Sequence, residues 1–155
     1  MNNNILFTYI LGLVLLVGTT VSIMYDFMLL YMGIFFVFFS LMKLGDVNGF
    51  AKAFTLYDPL SKTIPGYALL YPFLEFFLGV SFIVNHYFMT SYLPLTSWIT
   101  LVVMVTGGIG VGQKLLSKVT FHCACLGTFI KLPLTKITLL ENVLMAIMVA
   151  RLLFF

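Results

Sequence analysis

Cys123 and Cys125 are the only cysteines of the chain, and they stand one residue apart in "FHCACLGTF" (121–129), directly after His122. In a helix, residues i and i+2 point about 200° apart, so a helical Cys-x-Cys does not act as a unit. In extended chain the two side chains leave on the same side. Gly127 and Pro133 favour a turn here. Lys118, Lys131 and a protonated His122 would favour the thiolate, which is both the nucleophile and the metal ligand. Two chemistries follow. A dithiolate binds a soft ion of the Cu(I) or Hg(II) type, with its sulfurs ~4.6 Å apart. Alternatively the pair cycles through a disulfide, sulfurs at ~2.05 Å. Closed over one residue, that ring is tight and easily reduced. The bland alternative is two inert thiols in a structural subunit.

The elements that must position this pair are almost entirely apolar. Of 155 residues, 62% are hydrophobic and 8% are charged, where a soluble domain carries roughly 25% charged. No soluble fold of this size hides so much apolar surface, so the chain is an integral membrane protein. The net charge of +3 rests on few lysines, which argues against a nucleic-acid patch. Five apolar stretches, about 5–24, 27–43, 67–86, 95–114 and 137–155, each approach the ~20 residues that cross a bilayer. The N-terminal run lacks the basic start of a signal peptide and reads as a retained span. The expected fold is all-α: a four-helix transmembrane bundle (27–155), an additional N-terminal span (1–26), and a short interfacial helix at 48–57. Lysines gather in 44–66 and 115–136, on one side of the membrane, whereas 87–94 has none. The positive-inside rule then places the Cys-x-Cys segment at the cytoplasmic face of the inner (cytoplasmic) membrane.

Charges inside a bilayer are expensive and usually functional. Glu75 lies well inside a span, on one helix face with Tyr67, Tyr71 and Gly79, behind Pro72. The simpler role for it is a hydrogen bond to a tyrosine. Glu141 closes "TLLE" (138–141), which fits a capping box with Thr138 as the cap. It also shares a face with Met145 and Met148, soft thioethers that more often only pack. Lys43 and Asp46 are spaced to pair at i, i+3, or to snorkel and be solvated separately. "TGGIGVGQK" (106–114) lacks the Gly-Lys-Ser/Thr of a phosphate loop, and no hydrolase or nucleotide-dependent signature is present. Its Gly108 and Gly112 instead form a Gly-x-x-x-Gly face for close helix packing.

The stretches "FFVFFSLMKLGDVNGFAKAFTLYDPLSK", "YALLYPFLEFFLGVSFIV" and "FHCACLGTFIKLPLTKITLLENVLMAIM" resemble the MauE/DoxX-like family of small membrane proteins over about residues 31–150. The common four-helix unit of that family leaves out the first span. The family pattern falls on Lys43, Asp46, Tyr57, Asp58, Tyr71, Pro72, Glu75, Cys123, Cys125, Gly127 and Glu141. Relatives often carry an acid after that glutamate, where this chain has Asn142. The resemblance implies two functions. MauE-type proteins act in methylamine utilisation beside a thioredoxin-like partner, in maturing a disulfide-rich subunit, which would make the chain a component of a thiol–disulfide oxidoreductase. Relatives with this Cys-Ala-Cys-Leu-Gly string often carry or neighbour a heavy-metal-associated domain, which implies soft-metal handling.

The leading expectation is soft-metal transport or delivery. Cys123 and Cys125 bind the ion, with His122, Glu75 and Glu141 as secondary ligands or proton acceptors. Lys43, Asp46, Asp58 and Tyr71 order the mouth of the site. Thiol exchange with a thioredoxin-like protein is the alternative. Lipid surrounds the chain, no nucleic acid is expected, and an oligomer is left open.

Overall fold

The computed structural model describes residues 3–24, 27–88, 91–117, 122–123, 132–133 and 136–154. It is all-helical apart from one two-residue bridge. The order is α1 (Asn3–Met24), α2 (Met28–Leu44), α3 (Val47–Thr55), α4 (Pro59–Thr63), α5 (Tyr67–Phe88), α6 (Leu93–Leu116), β1 (His122–Cys123), β2 (Leu132–Pro133) and α7 (Lys136–Phe154). The five long helices match the five apolar stretches to within a few residues.

Among the described residues two helices, α5 and α6, are long and apolar enough to cross a membrane. The pair α2–α3, bent by 102° at its break, is a third candidate. The bend falls at Gly45–Asp46, and the Asp46 carboxylate accepts the Gly49 N–H at 2.9 Å, capping α3. Phe50 and Phe54, four residues apart, turn inward from α3, while Asn48, Lys52 and Thr55 face out. That is the sidedness of a helix lying at an interface, and α3 takes the place expected for 48–57. The break between α1 and α2, at Tyr25 and Asp26, lies outside the described residues.

Helix α2 packs most closely on α5, and α6 on α7, with α5 also touching α6 and α1 reaching α2 and α7. The core is built from Met32, Phe36, Phe50, Phe82, Met145 and Val149, all at most 1% exposed. Large apolar side chains also point outward. Leu70, Phe77 and Ile147 are more than half exposed (66%, 67% and 57%), a surface that suits lipid and not water.

The close approach expected at Gly108 and Gly112 is found elsewhere. Both glycines do face α7, but a Cβ on either would meet its neighbour at ordinary contact distance, 3.6 Å from Asn142 and 3.9 Å from Leu139. Backbones touch instead at Gly33 and Gly79, where a Cβ on each would stand 2.9 Å from the other's carbonyl oxygen. In apolar surroundings helices associate by packing, and the smallest residues mark where they cross. Gly110 has the same role against the Tyr57 carbonyl and Pro59, seating the α3–α4 connection on α6.

A candidate polar cavity between the helix pairs

Lys43 sits one residue from the end of α2, and Glu75 lies in the third turn of α5. The two helices run antiparallel, so these positions come level. The Lys43 Nζ donates to both carboxylate oxygens of Glu75, at 2.7 and 2.6 Å. Both side chains are 6% exposed. The Lys43 ammonium also stands 5.1 Å from the centre of the Tyr71 ring and 5.6 Å from that of Phe50. A lone charge here would be very costly. A bidentate pair with ring faces around the cation is the arrangement that offsets the loss of water.

This corrects two expectations. Lys43 does not snorkel but holds Glu75, and beyond the bend Asp46 caps α3. Glu75 does face the bundle interior with Tyr71 nearby, but the group on its oxygens is an ammonium and not a tyrosine hydroxyl.

The pair lines a cavity of about 30 Å³, bounded also by Phe36, Tyr57, Tyr71, Glu141 and Asn142. Roughly 10–15 Å³ on this measure admits one water, so about two fit and an organic substrate does not. Glu141 lines the cavity. Helix α7 begins at Lys136, so Thr138 lies inside its first turn and not at its cap position. Met145 and Met148, 0% and 1% exposed, are core side chains. Tyr57 and Asn142 entered the sequence reading only through the family pattern and were given no role in the site. Asn142 shows one signal, a polar residue beside an intramembrane acid.

Asp58 lies apart from this cavity. It precedes α4, is 1% exposed, and its Oδ1 has no hydrogen-bond partner. Burial pushes its carboxyl above the ordinary value, opposed by the Ser61 and Leu60 amides and by the charge of Lys62. A second polar group unread in the sequence joins α5 to α6. Ser81 and Thr96 hydroxyls meet at 2.7 Å, and Asn85 donates to the Ser81 carbonyl at 2.7 Å.

Of the thiol motif, the structure describes the backbone at His122 and Cys123. It is extended, paired antiparallel as His122↔Pro133 and Cys123↔Leu132. This strand packs on α3, the same helix that supplies Phe50 and Phe54 to the cavity wall. Cys125 lies outside the described residues. Among the described residues no three of His, Cys, Asp and Glu converge as a metal-ligand group. The structure thus brings Lys43, Tyr71, Glu75 and Glu141 to one cavity, and sets β1 one helix away. Asp46 and Asp58 occupy separate places.

Comparison with curated proteins and with solved structures finds no match. One family does match, described as methylamine utilisation protein MauE, over residues 4–155, a span that takes in the first helix as well as the expected 31–150. This chain is a membrane protein of the MauE family.

Proposed function

We propose that the chain is a MauE-type membrane thiol–disulfide factor in which Cys123 and Cys125 exchange with a thioredoxin-like protein. Family membership along nearly the whole chain carries the reading, because these two thiols are the only cysteines the sequence has to exchange. The thiolate of one cysteine attacks a sulfur of the partner's disulfide. The partner's S–S bond breaks, and its other sulfur leaves as a thiolate and takes up a proton. The second cysteine, deprotonated, attacks the mixed disulfide, frees the partner and closes Cys123–Cys125. Two electrons pass to the partner and two protons follow. The direction is set by the two reduction potentials.

Soft-metal handling has less support. Both oxygens of Glu75 already hold the Lys43 ammonium, so a cation there would face an adjacent positive charge. In this reading α2, α5, α6 and α7 form the four-helix transmembrane core, α1 is the additional span, and the site is the membrane face where β1 meets α3. The membrane is the inner (cytoplasmic) one.

Single-cysteine variants test the proposal. In thiol exchange the two cysteines are unequal, one attacking and the other resolving. A partner adduct on non-reducing gels is expected from only one of Cys123→Ser and Cys125→Ser. Equal defects with no adduct, together with loss of bound Cu(I) in both variants, would overturn the proposal in favour of the metal site. No defect in either would leave the thiols inert.

A further inference from the structure

The segment between α2 and α5 is neutral by count and positive by exposure. Its charges are Asp46 and Asp58 against Lys52 and Lys62. Asp46 is part-buried and engaged with the Gly49 amide. Asp58 is buried. Lys52 and Lys62 are both exposed. Folding has buried Asp58 and partly covered Asp46, and it has left both lysines on the surface. The opposite end of the bundle differs. Residues 87–94 carry no charge, and Tyr87, Phe88 and Tyr92 are exposed there.

One of these lysines, Lys52, belongs to the helix against which the Cys123 strand packs. That helix has 9 residues, so it is about 14 Å long. Charge on that helix acts on a partner over about a Debye length, ~8 Å at physiological salt.

We infer that this face docks a protein whose own disulfide is rimmed by acidic side chains, the lysines steering it onto the Cys123 strand. The inference rests on the thiol-exchange reading and adds the chemistry of the partner. Opposite charge on the partner raises the encounter rate, and a basic rim on a competitor lowers it.

The test uses the full chain in discs of zwitterionic phosphatidylcholine. Synthetic disulfide peptides, identical except for flanking glutamates, glutamines or lysines, are offered to whichever single-cysteine variant traps adducts. The glutamate peptide should react about tenfold faster than the lysine peptide at low salt. The gap should close in high salt, and Lys52→Glu/Lys62→Glu should reverse the order. Equal rates for the three peptides would overturn the inference. So would a charge reversal that acts only in discs containing phosphatidylserine, since the lysines would then serve lipid headgroups. A thiol-free arm separates the two proposals. A fluorescent glutamate peptide with its cysteines replaced by serine is titrated onto Cys123→Ser/Cys125→Ser chain. If no disulfide peptide forms an adduct, thiol exchange fails. Salt-sensitive binding that Lys52→Glu/Lys62→Glu abolishes would still uphold the docking face, and absence of binding would refute it.

Discussion

Helices α2 and α5 meet backbone to backbone, whereas α6 and α7 leave a groove between them. The first pair crosses at Gly33 and Gly79, stacks Phe36 on Phe82 at 6.1 Å, and is tied by Lys43–Glu75. The second pair faces Gly108 towards Asn142 without close contact, and a groove of about 450 Å³ runs between them past Ala146 and Ala150. The cavity lies where the two pairs meet, with Lys43 and Glu75 from one and Glu141 and Asn142 from the other. One wall is fixed by an ion pair and a glycine crossing, and at the other Gly108 and Gly112 meet α7 at ordinary contact distance. A charge can be kept inside an apolar bundle only where the backbone around it is rigid enough to hold its partner in place.

The largest expected effect breaks the tight pair at its charge. Lys43→Met or Glu75→Leu alone leaves one buried charge without its partner and should cost about 3–5 kcal/mol. The double variant Lys43→Met/Glu75→Leu should recover most of that loss. Denaturant titration in detergent, run as a double-mutant cycle, measures both. A double variant as unstable as the worse single would show that the pair is not the reason for the cost.

A smaller effect sharpens the contrast through one substitution made in both pairs. Gly79→Ala puts a Cβ 2.9 Å from the Gly33 carbonyl and should destabilise by about 1–3 kcal/mol. Gly108→Ala meets only an ordinary contact, so it should gain up to ~1 kcal/mol from helix propensity. Melting temperatures moving in opposite directions would confirm the difference. A shared sign would erase it.

The smallest effect concerns Asp58, outside both pairs. Burial raises its carboxyl above the ordinary 3.8. Between that value and the raised one, the folded chain binds more protons than the unfolded chain, so stability falls as pH rises. Asp58→Asn removes this contribution. Its stability relative to the parent should therefore increase from acid to neutral pH, read from melting curves across that range. A parallel shift at every pH would mean the carboxyl titrates normally.

Run length and composition determined the membrane class, the five long helices and the amphipathic α3, because apolar periodicity is a local signal. The inward face of Glu75 was legible for the same reason: a carboxylate in a span has few tolerable places. Which cation it meets was not legible. Lys43 and Glu75 are brought level only by the antiparallel packing of α2 on α5, which no local spacing announces. The glycine crossing was likewise decided by tertiary structure. A Gly-x-x-x-Gly spacing is a local pattern, whereas Gly33 and Gly79 are single glycines on two helices that become a motif only once docked. The surface charge of 44–66 follows the same rule. Sequence counts two acids and two bases there, and folding decided which of them reach water, since a short aspartate can cap or be buried while a long lysine carries its charge outward.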